Sequence, residues 1–556
     1  MYEKNLNLID NNSLKKRLER ISDSETRVGI TYMVTPSKDY ILLKDDVPID
    51  DLNNPREAIK KHLNESIKNE MRPNDIIITF GIGLGYLLDE TFNKYPSKIF
   101  VYEPDLSLLK FVLSNIDISE HLASGRVYIT NDLEELISKI SNIYLAKDKI
   151  EIVYLKNYSI IRNKDLLMLT QRIYDACKSK IVDVNTIAKF SERWLVNTLE
   201  NIASVNSRDC YLLSDLEDKF IGQTAIILGA GPSLNDNIDK IKSNRNKFVV
   251  FAVNKITKYL EQNGITPDFI VCLDAGNMDS TLNVSPEYLS KINCIMDIRA
   301  DKNIFNKTFK KFLIAFTDTD FIMNRLAKYD SAIKIYEAGG TSAIMALVSA
   351  VKMGFSKIIL AGIDLAFKDN IVYADGEELN RITQEEIVVD SIKKNLVLVK
   401  SIAGGMVYTR DDYQAYIHQF SEVIKLLNYQ NIYNISTFGA VIDGVKPVKF
   451  ESLSLMVPAN VQILNSIEPF KFKIDKFIQD EFLNIDNIIS ILSNEVFSPE
   501  LISAIVKSVF IYQYMQTEIL EVLQRNFDKQ LADEFISKTK NAIKIVVEIL
   551  QRNHMV

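Results

Sequence analysis

Cysteine is scarce in this chain, with four in 556 residues: Cys177, Cys210, Cys272 and Cys294. None stand in C-x-x-C spacing, which excludes the common zinc and dithiol motifs. So few in so long a chain also exclude a disulfide framework. Histidine is equally scarce. His62, His121, His418 and His554 are scattered and form no H-E-x-x-H, so no metal site is expected. No apolar run reaches the roughly 18–20 residues needed to span a bilayer. The longest, "SAIMALVSAVKMGF", is broken by Lys352. The opening "MYEKNLNLIDNNSLKKRLER" lacks the apolar stretch of a secretory signal, and a reducing, cytoplasmic location is expected. Basic charge is not in excess either. Lys and Arg total 66 against 73 Asp and Glu, a net charge of −7, so nucleic acid is not an expected partner.

What is present is ordinary globular composition, 47% hydrophobic and 25% charged. The pattern divides the chain into four segments. Residues 1–165 read as a Rossmann-like domain, 166–215 as a helical connector carrying the single Trp194, 216–455 as a central α/β domain, and 456–556 as helices only. In the first, Gly81, Gly83 and Gly85 follow the strand "DIIITF", and Glu103 ends the next strand. That is the layout of a nucleotide-binding βαβ unit, where the acid takes a ribose hydroxyl. A scaffold without a ligand fits the same pattern and is the preferred reading over a methyltransferase-type cofactor turn.

The central segment alternates strand and helix patterns, which predicts a largely parallel, doubly wound sheet. Ligands in such sheets bind at the carboxyl ends of strands, near the switch in strand order. Four stretches fall there. In "TAIILGAGPSL", Gly229 and Gly231 permit a tight turn, and Pro232 and Ser233 open a helix whose free N–H groups suit phosphate. A purely structural turn is the alternative. In "AVNK", Asn254 ends a strand with both a donor and an acceptor, for a nucleotide or for an Asx turn. In "PDFIVCLDAGN", Asp274 ends a strand, and no D-x-D pair suggests a metal-bridged diphosphate. In "EAGGTSAIMAL", Gly340, Thr341 and Ser342 open a second helix, which leads to the strand "KIILAGID" ending in Asp364, with Tyr373 in the loop beyond.

Those motifs, with "VYEPD" and the Trp194 helix, resemble the motility-associated factor (Maf) glycosyltransferases that modify flagellin. The resemblance spans roughly residues 40–450. The central domain is also similar to bacterial sialyltransferases that use CMP-sialic acid, through Gly229–Leu234, Asn254, Thr341-Ser342, Asp364 and Tyr373-Ala374. The resemblance implies transfer of a nonulosonic acid of the pseudaminic or legionaminic type from a CMP-activated donor. The implied acceptor is a Ser or Thr hydroxyl of flagellin, in support of flagellum assembly and motility. It implies no further cofactor. Two departures stand out. Ala366 occupies the place of a second tyrosine, and "GGMVYTRDDY" lacks the family's histidine, with His418 deeper in the following helix.

On this reading Ser233, Thr341, Ser342 and Tyr373 serve the phosphate, Asn254 and Asp364 the nucleoside, and Asp274 the acceptor proton. Arg299 or Arg410 pairs with the donor carboxylate. Two other classes remain open. One is a phosphotransferase like the archaeal pterin pyrophosphokinases. The other is a non-enzymatic flagellin-binding module.

Overall fold

A strand with parallel neighbours on both sides, covered by helices on both faces, must be apolar on both faces. The strands of this chain meet that demand in two places. The computed structural model describes residues 1–22, 25–144, 148–337, 340–367, 396–454, 459–493, 496–524 and 529–555, without the side chains of 178–185 and 523–524. Tyr373 and Ala374 lie outside the described residues. The chain forms two compact units, Met1–Ala188 with Thr517–Phe527, and Lys189–Gln516 with Asp528–Val556. Most of the C-terminal helices thus group with the central α/β segment. The helix Asn163–Ser207 covers the predicted connector up to residue 207, beyond which Tyr211–Leu212 is a strand, and it contributes to both units. Among the described residues no helix is long and apolar enough to cross a membrane.

The first unit opens with two short helices, Tyr2–Leu8 and Asn12–Glu19, followed by an antiparallel meander, β1 (Ile30–Val34), β2 (Tyr40–Lys44) and β3 (Val47–Pro48). A parallel sheet follows, built from β4 (Ile76–Phe80), β5 (Lys98–Tyr102), β6 (Val127–Thr130) and β7 (Ile150–Tyr154) in the order β6-β5-β4-β7. Every residue of β4 is buried. The predicted glycine turn leaves β4 with positive φ at Gly81, Gly83 and Gly85.

The chain's own side chains fill that turn. A Cβ on Gly81 would lie 2.6 Å from the Tyr158 ring, and one on Gly83 would lie 3.0 Å from an Asp50 carboxylate oxygen. Glu103 is fully buried. Its carboxylate accepts from the N–H of Ile82 (3.1 Å), the N–H of Asp105 (2.9 Å) and the hydroxyl of Tyr158 (2.5 Å). The carboxylate that the pattern offers to a ribose is therefore engaged within the fold, which favours the scaffold reading.

Burial pushes the carboxyls of Asp50 and Glu103 up to about 7, helped at Asp50 by the charge of Asp51 and opposed at Glu103 by the Tyr158 hydroxyl. A carboxyl raised in the folded state stabilises below its unfolded pKa, and that contribution is lost as pH climbs through the folded value. The first unit is thus expected to be less stable at pH 8 than at pH 5. Asp50→Asn should recover about 2–4 kcal/mol at pH 8 and about 1–2 kcal/mol at pH 5. Hydrogen exchange of β4 peptides at the two pH values checks this, and equal protection in both proteins would refute it.

The second unit holds a ten-stranded, wholly parallel sheet. Its strands are β8 (Tyr211–Leu212), β9 (Thr224–Leu228), β10 (Val249–Val253), β11 (Phe269–Cys272), β12 (Asn293–Asp297), β13 (Lys311–Thr317) and β14 (Ile335–Tyr336). After these come β15 (Lys357–Ala361), the hairpin β16 (Leu396–Lys400) and β17 (Met406–Arg410), then β18 (Ile432–Asn434) and β19 (Lys446–Pro447). The hairpin forms its own two-stranded sheet. The order of the large sheet is β14-β13-β12-β11-β10-β9-β15-β18-β19, with β8 beside β13. The chain winds one way from β9 to β14 and then the other way from β15. The switch in order therefore falls between β9 and β15, where a doubly wound sheet opens a crevice.

Candidate active-site cleft

β9 and β15 lie side by side, with Leu228 opposite Ala361. Their carboxyl ends lead into two loops that approach very closely. The N–H of Gly229 donates to the carbonyl of Ala361 (2.8 Å), and that of Gly231 to the carbonyl of Gly362 (2.7 Å). A Cβ on Gly229 would sit 2.5 Å from the Gly362 carbonyl oxygen, and one on Gly231 would sit 2.5 Å from an Asp364 carboxylate oxygen. Glycine is required at both places by this approach.

Asp364 is the clasp. Its carboxylate accepts from the N–H of Ser233 (2.8 Å) and from the Ser233 hydroxyl. Its carbonyl accepts from the N–H of Ala440 (2.8 Å), so three loops meet on one residue. Burial pushes the carboxyl up to about 6, against the Ser233 hydrogen bonds.

This geometry corrects the expectation for the opening turn. Pro232–Leu234 is a single 3₁₀ turn, and the next helix, Ile238–Ser243, has six residues. The N–H expected to face phosphate is bound to a carboxylate instead. Pro232 and Ser233 lie behind the cleft wall rather than on it, and Asp364 shows the cleft an edge while its oxygens hold Ser233.

The second helix start has the expected form. Thr341 caps the helix Ser342–Lys352, its hydroxyl accepting from the N–H of Ile344 (3.2 Å). The first N–H groups of an α-helix have no intrahelical partner, so Ser342 and Ala343 present theirs at the cleft floor. Asn254, buried at the end of β10, stands beside them. Its amide donates to Thr281 (3.2 Å), and its oxygen lies 3.5 Å from the Ser342 hydroxyl.

These parts line a cleft of about 310 Å³ that also includes Gly229, Gly231, Gly340, Asp274 and Arg410. Asp274 lies at the rim. Partial burial raises its carboxyl above the ordinary carboxylate value, and the neighbouring Lys255 opposes the rise. Arg410 ends β17 and forms a two-pronged pair with Asp412, both contacts at 2.7 Å, with its guanidinium 4.3 Å from the Tyr413 ring centre.

Arg299 is a correction. It is buried outside this cleft, its guanidinium held by Asp297 (3.1 Å), Thr317 (2.5 Å) and Thr319 (2.9 Å). Its Nε and one terminal nitrogen are committed within the fold, away from the cleft. His418 is exposed and not among the cleft residues.

Sequence reasoning missed one wall. Tyr413, Tyr416 and Phe420 project from the helix Asp411–Leu427 into the cleft, and Phe367 stacks on Tyr413 (ring centres 6.2 Å apart). Their spacing of three and four residues in "DDYQAYIHQF" is the signal that could have found them. Lys255 and Gly362 were also passed over, each directly beside a residue of a quoted motif. Among the described residues, no three His, Cys, Asp or Glu side chains gather as a metal site.

Comparison with known proteins adds three findings. Residues 196–370 match the family model described as 6-hydroxymethylpterin diphosphokinase MptE-like. An uncharacterized protein of Treponema pallidum (strain Nichols) is 25% identical over 166 residues, which is 29% of this chain and 77% of that protein. The structure of the Maf glycosyltransferase from Magnetospirillum magneticum AMB-1 is similar with a TM-score of 0.65 at 15% identity. The match covers 100% of this chain and 95% of that one, so over its whole length the chain has the fold of the Maf glycosyltransferase.

Proposed function

We propose that this chain is a glycosyltransferase that moves a nonulosonic acid from a CMP-activated donor to a Ser or Thr hydroxyl of flagellin. The observation that carries the reading is the full-length fold likeness to a Maf glycosyltransferase. The cleft chemistry supports it. The opening N–H groups of Ser342 and Ala343 suit the donor phosphate, and the Tyr413 and Tyr416 rings suit a flat base.

In the proposed step Asp274 takes the acceptor hydroxyl proton. The acceptor oxygen bonds to the anomeric carbon as that carbon's bond to phosphate oxygen breaks, and CMP leaves with the electron pair. The helix start stabilises the charge gathered on the departing phosphate. A phosphotransferase is the second reading, favoured by the diphosphokinase-like family match over residues 196–370.

Calorimetric titration with CMP, ADP and S-adenosylmethionine, with and without magnesium, separates these readings. CMP is expected to bind without metal, and Ser342→Trp, which fills the floor, should weaken it about a hundredfold or more. Magnesium-dependent binding of ADP in place of CMP would establish the phosphotransferase. Binding of none of the three, with flagellin present, would leave a flagellin-binding module.

A further inference from the structure

The second unit holds another cavity, of about 540 Å³, on the far side of the loop that carries Asp274. Leu273 and Asp274 face the first cleft, whereas Ala275 and Asn277 face this cavity. Lys189, Arg193 and Lys302 bring three cations to its wall, and Asn277 and Asn303 bring amides.

Of its two acids, Asp301 is turned into the fold, and Glu192 is exposed with one carboxylate oxygen engaged. Asp301 is buried, and its carboxylate accepts from the N–H groups of Met278 and Asn303 (3.1 Å each) and from the Asn303 amide (3.1 Å). Glu192 accepts from the Tyr514 hydroxyl (3.2 Å). Lys302 has a loose partner in Glu200 at 3.7 Å. A guanidinium nitrogen of Arg193 lies against Gly276, 3.6 Å from where a Cβ would stand, so the cation rests on the Asp274 loop itself.

The loop is rigid. The Asn197 amide donates to the carbonyls of Ala275 (3.1 Å) and Arg299 (3.0 Å), and the N–H of Asp301 donates to the carbonyl of Asp274 (2.9 Å). Cavity and acid are therefore held in a fixed relation, three residues and at most about 10 Å of chain apart.

We propose that this cavity seats an acidic side chain of the acceptor polypeptide, a few residues from the hydroxyl that Asp274 serves; the proposal rests on the glycosyltransferase reading above. A donor confined to the first cleft would have to cross the loop to reach it. A polypeptide with its hydroxyl at Asp274 crosses it naturally, because three to four extended residues span roughly 10–14 Å. Arg193 supplies a forked donor for a carboxylate, and the lysines raise the local positive potential.

The test uses fluorescence anisotropy with matched Ser-containing peptides, carrying Asp or Asn three and four residues from the hydroxyl. Full-length protein is used, with CMP present and CMP titrated into the same samples. Wild type should bind the Asp peptide about tenfold more tightly than the Asn peptide. Arg193→Gln should reduce that preference and Arg193→Glu abolish it; Arg193 is exposed, so neither change should unfold the protein. Equal binding of the two peptides by wild type would overturn the proposal, as would a preference undiminished in Arg193→Glu. If CMP binds but the acidic preference is missing, the seat falls and the glycosyltransferase reading stands. If the Arg193-dependent preference persists without CMP binding, the seat stands and that reading falls.

Discussion

Arg299→Met is expected to destabilise the second unit by about 3–5 kcal/mol, because it strands two buried carboxylates without their cation. Arg299 is 9% exposed, and Asp297 and Asp320 are almost fully buried around it. Burial works against the guanidinium charge, but Asp297 first and Asp320 second outweigh it and keep it protonated. Asp320 feels the same burial, and its carboxyl is pushed up to about 6 despite Arg299. One of its oxygens has no hydrogen-bond partner and relies on the guanidinium 3.8 Å away. In the variant Asp320 would hold its proton still more strongly, so the penalty should shrink on moving from pH 7 to pH 5. Urea unfolding followed by Trp194 fluorescence, with circular dichroism as a second probe, measures the loss. The indole lies 5.4 Å from the Arg299 guanidinium and reports on this region directly. An unchanged midpoint together with lost donor binding would return Arg299 to the role suggested by sequence.

The largest effect on activity is expected from Asp274→Asn. Removing a general base typically lowers turnover about 10²–10⁴-fold. The amide keeps the shape of the carboxylate, and the Asp274 carbonyl, which accepts from the N–H of Asp301, is untouched. The loop should therefore hold its course, and CMP affinity should stay within about twofold, because the change removes a proton acceptor at the rim and leaves the floor intact. The raised carboxyl supports the assignment, since a more basic carboxylate removes an alcohol proton more readily. Turnover by wild type should then rise with pH along an acid limb that the variant lacks. Steady-state kinetics and CMP calorimetry on the same preparations decide the matter, and undiminished turnover would remove Asp274 as the base.

The parts of the site visible in the sequence are those enforced by backbone geometry. Gly229 and Gly231 announce themselves because no other residue survives a carbonyl at 2.5–2.7 Å, and apolar runs such as "KIILA" announce strands buried on both faces. Thr341 and Ser342 are legible because capping is a local rule. The rest depends on partners distant in the chain. Ser233 and Asp364 are 131 residues apart, and nothing near either residue says that the hydroxyl and N–H of one will be consumed by the other. Arg299 reads as a free cation until Thr317 and Asp320 arrive from a neighbouring strand and its loop. The Tyr413–Tyr416–Phe420 stripe has the period of a core face, and only packing shows that the face is turned to a cleft. The glycine turn at Gly81 shows the limit of motif logic. The turn is present, and Tyr158 and Asp50 occupy the space beside it.

The Asp364 clasp also sets a timetable. A ribosome delivers β9 early, and β10 can cover one edge at once. The other edge waits for β15, whose last residue follows that of β9 by 133 positions (361 − 228). At about 5–20 residues per second that interval is on the order of ten seconds. Throughout it, β9 shows a row of unpaired backbone groups, the form of surface that recruits other strands. The loops gathered by Asp364 are complete only when Ala440 has emerged. A chain stalled before that point carries both glycine turns without a cleft, and the nascent protein depends on whatever shields the β9 edge until β15 has been made.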